Sequence, residues 1–424
     1  MKSLALVLGL VAVLPAPAAD YLPAEAEARA AIDGLPIVQS ARARLGESDA
    51  RAEALRRGSY GFELSLTPIV RHEQDLGRTY DEWEAGVTRA LRLPRKARID
   101  EAAARTRIAA ADYRLADARH TGARLLLEYW CAWLRAAALA ELAQHARAVL
   151  ETERENIARR VGAGDLAKLD LERAEAALAQ SEVAAERARL EREQRRLALA
   201  GQFPALALPA AVPALPAPSR RDVDEERIVE TVLARNHEIE LADATARLQA
   251  LAAARADAER RPDPKIGLRV VDERNHNEQA VGLMLSVPLA SSGAAATARA
   301  EQGLAGALEA EAAGVRQQLE LQARQLARAV SGRYDAWQAA RRALAATEAA
   351  LRRTERAWQL GEIGFSDLAL GRRAAQDAAS SEITARVDAL EAALQVEIDS
   401  HERWSDHAGE TLPEAPTPAA APRE

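Results

Sequence analysis

The stretch VGAGDLAKLDLERAE, Val161 to Glu175, interrupts more than a hundred residues of Ala-rich, charge-rich sequence. Glycine inside a helix costs about 1 kcal/mol relative to alanine, so a segment that needed only length would not hold Gly162 and Gly164. The helical pattern resumes at once, with Asp170 where a returning helix would begin; a carboxylate is favoured in a first turn by the helix dipole. The stretch reads as a fold-back between antiparallel helices. A second copy decides the matter: in AWQLGEIGFSDLALGRR, Ala357 to Arg373, aligning Gly361 with Gly164 places Asp367 on Asp170, each Asp six residues after its Gly. The two glycines are 197 residues apart, and an independent pair agrees, since GVTRALRLP from Gly86 matches GLMLSVPLA from Gly282 at an offset of 196. The chain is a tandem duplication.

Each half repeats one order of elements. A helix over Ala24 to Arg57 leads into YGFELSLTP, where Tyr60, Phe62, Leu64 and Leu66 alternate with Gly61, Glu63, Ser65 and Thr67. Period two means a strand with one apolar and one polar face. The polar stretch RHEQDLGRTYDE separates it from a second strand, Trp83 to Leu93, as in a hairpin. The second half has PKIGLRVV, the turn DERNHNE and AVGLMLSVPL, in which Val281, Leu283, Leu285, Val287 and Leu289 share a face. These lengths are near the roughly 9 to 11 residues with which a tilted strand crosses a bilayer. Phe62, Leu64, Leu66, Leu283, Leu285 and Val287 are therefore expected to face lipid, and Trp83 to sit at an interface.

Between Arg95 and Arg160 there is no proline, and an unbroken helix of that length would extend on the order of 100 Å. Leu125, Tyr129, Ala132, Ala136, Leu139, Ala143, Ala146 and Leu150 recur in alternating steps of four and three, while Ala323, Val330, Trp337, Leu344, Leu351 and Trp358 recur every seven. Such repeats predict left-handed coiled-coil packing. The expected organisation is a signal peptide over residues 1–18, a first repeat over 19–200, a Pro-rich linker over 201–222, a second repeat over 223–407 and a disordered tail over 408–424. The signal peptide rests on Lys2, the apolar run Leu4 to Leu14 and the small residues Ala16 and Ala18.

Composition bounds the function. Aromatic residues are 4 % and charged residues 29 %, the mixture of helices packed side by side. A net charge of −7 with interspersed signs carries no nucleic-acid footprint. Cys131 is the only cysteine and Met284 the only methionine after Met1, so no intrachain disulfide and no thioether metal site are read. His401, Asp406 and His407 lack the one-face spacing of a metal site. No GxxxxGK, HExxH, CxxC or GxSxG occurs, and no set of acid, base and nucleophile can be assembled; no enzyme and no cofactor are expected. No segment has the roughly 20 apolar residues of a membrane helix, so a membrane location must be reached by strands. Four strands cannot close a barrel, and open edges are not tolerated in lipid. Assembly must multiply them, and three copies would supply twelve.

The repeated G-x-x-x-x-x-D turn, each copy after a long helix and in register with a hairpin, resembles the outer-membrane efflux proteins, the TolC-like channels, over nearly the whole mature chain. The resemblance implies a mainly α chain with a small β part, built of duplicated helical hairpins and two β-hairpins. It implies a homotrimer whose twelve-stranded barrel lies among outer-membrane lipid and whose α-helical barrel extends into the periplasm. Docking on a periplasmic adaptor and, through it, an inner-membrane pump is implied too, as is the possibility of the heavy-metal export branch. The tip residues carried over are Gly162, Gly164, Asp165, Leu166, Asp170, Gly361, Gly364, Ser366, Asp367 and Leu368, with Asp367 a candidate gate. The family's archetype has two aspartates three residues apart here; the matching positions are Asp367 and Leu370, so one acidic position remains. Both aspartates also read as first-turn residues of returning helices, and Asp170 stands three residues before Arg173, the spacing of a local ion pair. The competing reading is a soluble periplasmic coiled-coil scaffold or adaptor, its hairpins forming a water-exposed sheet.

Overall fold

A computed structural model describes residues 21–220, 224–234, 236–289 and 293–405; the expected signal peptide and the tail from 408 lie outside them. The elements are α1 (Glu25–Asp33), α2 (Pro36–Arg57), β1 (Phe62–Glu73), β2 (Arg78–Ala90), α3 (Pro94–Gly162), α4 (Lys168–Gln202), α5 (Glu225–Ala234), α6 (His237–Ala258), β3 (Lys265–Glu273), β4 (Glu278–Ser286), α7 (Ala294–Gln359) and α8 (Phe365–Asp399). The duplication is plain in the element lengths. Helices of 9, 22, 69 and 35 residues in the first half answer helices of 10, 22, 66 and 35 in the second.

The described residues form two compact units that cut across the repeats: those within 21–35, 119–232 and 323–405 in one, those within 36–118 and 233–322 in the other. The second unit holds one antiparallel sheet of order β1-β2-β3-β4. The hairpin turns are shorter than the sequence implied. The polar residues Arg71 to Glu73 and Arg78 to Glu82 pair across the hairpin rather than turning, because Arg71 bonds Glu82 at 3.1 Å and Glu273 at 3.3 Å on one face. His72, expected in the turn, is in β1. Val287 lies just beyond the end of β4.

Under the sheet a buried polar network ties the strands to their helices. Lys96 Nζ, fully enclosed, meets Glu259 at 2.8 Å and Asp263 at 3.2 Å. Asp263 also accepts from Leu93 N and Tyr60 Oη, and Asp100 holds Arg92 and Arg255. Burial works to raise the Asp263 pKa, but the Leu93, Lys96 and Tyr60 hydrogen bonds outweigh it and hold the carboxyl below its usual range.

The single N-terminal helix of the sequence reading is two helices, α1 belonging to the first unit and α2 to the second. The chain breaks at Gly34, and Pro36 begins α2, a position where its missing N–H costs nothing. The deepest stripe of α3 is Leu126, Trp130, Trp133, Ala137 and Ala140, one residue round from the predicted stripe, of which Ala136 and Ala143 alone are fully buried. Gly122 permits close approach there: a Cβ would come 2.9 Å from Leu35 and 3.0 Å from Ile32. On α7, Ala323, Val330, Trp337 and Trp358 are buried as the seven-residue repeat requires, and Leu344 and Leu351 half-buried.

Candidate functional site: two fold-back tips and a two-faced sheet

Both glycine turns end their helices in the same way. Gly164 has φ +85° and Gly361 φ +77°, the left-handed region open to glycine at no steric cost. Gly164 N bonds Val161 O and Asp165 N bonds Arg160 O; Gly361 N bonds Trp358 O and Glu362 N bonds Ala357 O. This pair of bonds is the Schellman cap, repeated at an offset of 197 in every member. The returning helices also start alike, with Asp170 N bonded to Ala167 O and Asp367 N to Gly364 O. Each Asp is the third helical residue of α4 or α8, where its charge opposes the positive helix end. Asp170 is half-buried, with Arg173 Nη1 at 3.9 Å.

Gly162, Gly164, Asp165, Gly361, Gly364, Ser366 and Asp367 are exposed, Leu166 is half-buried, and Leu368 is enclosed. Leu368 therefore belongs to the interior of the tip, with Ile157, Ala174, Trp358 and Phe365. Four residues that the sequence reading did not single out lock this core around Trp358. Glu153 accepts from Trp358 Nε1 at 2.9 Å and from Arg372 Nη2 at 3.2 Å, and the Phe365 ring meets Trp358 edge-on at 6.2 Å. Arg160 lies over the Trp358 ring, 5.2 Å from its centre. A signal existed: the repeat places Trp358 and Phe365 where the first copy has Val161 and Lys168, so the aromatic lock is confined to one copy.

The sheet has a different face on each side. The pairing aligns Phe62, Arg89, Ile266 and Leu285 in one row, Leu64, Val87, Leu268 and Leu283 in the next, and Leu66, Ala85, Val270 and Val281 in the third. Phe62, Leu64, Leu66, Leu283, Leu285 and Val287 are all between 62 % and 89 % exposed, a contiguous apolar patch rather than scattered surface leucines. Trp83 stands on the same face toward the turns. The opposite face carries charge pairs: Lys265 with Glu63 at 2.8 Å, Arg269 with Glu84 at 3.1 Å, and Arg71 with Glu82 and Glu273.

Among the described residues no group of His, Cys, Asp and Glu is placed to hold a metal ion. His401 stacks edge-on against His120 at 5.0 Å, while Asp406 and His407 lie outside the described residues. Among the described residues no helix is long and apolar enough to cross a membrane.

No family model matches the sequence, and no curated protein matches it. Solved structures do match. The outer-membrane channel OprN aligns at a TM-score of 0.72 and 18 % identity, over 89 % of this chain and 90 % of that one. The Vibrio cholerae outer membrane protein VceC aligns at 0.69 and 18 %, over 88 % and 95 %. The Campylobacter jejuni CmeC outer membrane channel aligns at 0.69 and 13 %, over 90 % and 86 %. The fold is that of outer-membrane channels.

Proposed function

We propose that this chain is the subunit of a passive outer-membrane efflux channel, three copies of which close a twelve-stranded barrel. The observation that carries the proposal is the sheet, with its exposed apolar face, its ion-paired face and unpaired edges on β1 and β4. In water those leucines would be a liability; in a bilayer they are the outer wall, and the ion pairs line an aqueous lumen.

The apolar band supports the same reading by its slant. On β1 it runs from Phe62 to Val70, centred on Leu66; along β4 and the residues just after it, it runs from Val281 to Leu289, centred on Leu285, which is level with Phe62. The band descends four residues over three strand spacings. At about 3.4 Å per residue and about 4.8 Å between strands, that is a slope near 45°. A band that must lie in the membrane plane then tilts the strands by the roughly 35–45° of closed barrels.

The helices offer matching surfaces for assembly. Leu169, Ala176, Val183, Leu190 and Leu197 form an exposed seven-residue seam along α4. Ala336, Ala339, Ala343, Ala346 and Ala350 form an exposed seam of small residues along α7. Large residues on one copy and small ones on the next are what close coiled-coil packing between copies requires.

In this reading the tips at Gly164 to Asp170 and Gly361 to Asp367 are the periplasmic end. They dock the hairpins of a periplasmic adaptor, which couples the channel to an inner-membrane pump. Asp367 supplies a single acidic ring as gate, with the exposed Leu370 beside it in place of a second. The soluble scaffold is disfavoured by the same exposed leucines. Fractionation separates the two: the channel requires detergent for release from outer membranes and a mass of three chains, whereas recovery in the soluble periplasm removes it.

A further inference from the structure

The backbone directions define what the two free edges present. Leu91 N donates to Pro264 O at 2.8 Å, continuing the β2–β3 pairing, and Asp81 N is turned to Asn275 Oδ1 at 2.8 Å. Odd-numbered residues of β2 thus point their amides toward β3 and even-numbered ones toward β1, since the direction alternates along a strand. Carried through the register, this sends the amides of Phe62, Leu64, Leu66 and Val70 to the free edge of β1. It sends those of Gln279, Val281, Leu283 and Leu285 to the free edge of β4. Pro68, with no N–H, stands in the same free-edge set, so a seam formed there lacks one ladder bond at that position.

We infer that β4 of one copy pairs antiparallel with β1 of the next in a register that sets Leu285 opposite Pro68, and therefore Ser286 opposite Thr67 and Met284 opposite Ile69. The inference rests on the trimeric barrel reading and adds the register to it. A shift of one residue would align the apolar face of one copy with the ion-paired face of the next. Shifts of two remain, and two observations choose among them. The band descends four residues over three spacings within the sheet; Leu285 opposite Pro68 continues that descent by two at the seam, whereas Leu285 opposite Leu66 interrupts it. The flat register also sets Glu278 directly opposite Glu73, a like-charge pair that destabilises strand pairing. In the proposed register Glu278 passes beyond the end of β1, Ser286 and Thr67 bring two hydroxyls together, and Met284 meets Ile69.

The pairs on the polar face are the non-hydrogen-bonded ones at this seam, whose Cα atoms approach to about 4.5 Å, close enough for a disulfide. Cys131 is buried and stays out of the exchange. The test is oxidation of two double variants in outer membranes, read on non-reducing gels: Thr67→Cys with Ser286→Cys, and Ser65→Cys with Ser286→Cys. The proposed register gives covalent dimers and trimers from the first pair at about tenfold or more the yield of the second, which is two residues out of line for disulfide geometry. Equal yields, a preference for the second pair, or no cross-link in either overturn the register. The intact mass of the detergent-extracted wild-type protein is read alongside: a trimer without the Thr67–Ser286 link rejects the register alone, whereas a monomer rejects the barrel itself.

Discussion

Trp358 Nε1 donates to Glu153 Oε1 at 2.9 Å, joining residues 205 positions apart and fixing the end of α7 to α3 inside the tip. The other carboxylate oxygen of Glu153 receives Arg372 at 3.2 Å, so one acid holds α3, α7 and α8 together. Glu153→Ala leaves the Arg372 guanidinium, 17 % exposed, without this partner. Arg372 keeps Glu355 at 3.6 Å, so the expected local cost is about 2 kcal/mol, the scale for a lost charge-assisted hydrogen bond. Trp358→Phe, which keeps an aromatic ring but loses the indole N–H and some volume, should cost about 1 kcal/mol for the hydrogen bond. Hydrogen exchange of amides 155–175 and 355–372 measures both, with the Glu153 variant opening more.

Gly164→Ala and Gly361→Ala should each cost about 1–2 kcal/mol, because the left-handed conformation is unfavourable for a side chain. A Cβ at either position meets nothing within 4 Å, so the effect is conformational and Asn should restore part of it. Gly162→Ala, at a glycine without positive φ, should be neutral or stabilising. In the proposed channel the first two variants impair export while the heat-stable trimer on a gel is unchanged; a lost trimer would contradict that division of labour.

Arginine at Leu64 or Leu283 should cost about 2–4 kcal/mol if these residues face the middle of a bilayer, and should abolish outer-membrane assembly. Thr88→Arg, on the ion-paired face, should assemble normally. The comparison is read from the amount of trimer recovered from outer membranes.

Asp399 is buried against Arg124 Nε at 2.8 Å and His120 Nε2 at 3.4 Å. Burial acts to raise its pKa, but the hydrogen bonds from His120 and Arg124 and the Arg124 charge outweigh it and hold the carboxyl below its ordinary range. A lowered folded-state pKa means stabilisation that is complete above the unfolded value, near about 3.9, and is lost as pH falls through the folded value. Asp399→Asn should flatten the acid limb of stability below about pH 4 and lower stability at neutral pH; thermal unfolding across that range tests it.

Much of this was legible in the sequence because the duplication repeats its backbone rules. Gly164 and Gly361 carry one cap, and Asp170 and Asp367 one position. The alternation of Phe62, Leu64 and Leu66 fixed the apolar face. Strand ends were lost where polarity mimics a turn: Arg71 and Glu82 read as loop residues until Glu273, some 200 residues away in sequence, supplies their neighbour. The buried stripe of α3 was missed by one residue because alanine is so frequent there that several stripes have similar periodicity, and Trp130 and Trp133 decide among them. The Glu153 lock was illegible for another reason: no local pattern joins an acid on one helix to an indole on another.

Closure of this chain into a water-filled barrel is read from planar-bilayer conductance of the purified protein with a dilated tip. On the ion-paired face six glutamates (63, 73, 82, 84, 273 and 278) outnumber four bases (Arg71, Arg78, Lys265 and Arg269). Discrete conductance steps are therefore expected, with a reversal potential in a salt gradient that favours the cation, and larger when the Gly361 cap is broken or the adaptor is added. Trimer that inserts into the bilayer and yet never conducts, with its tips opened by either route, would contradict it.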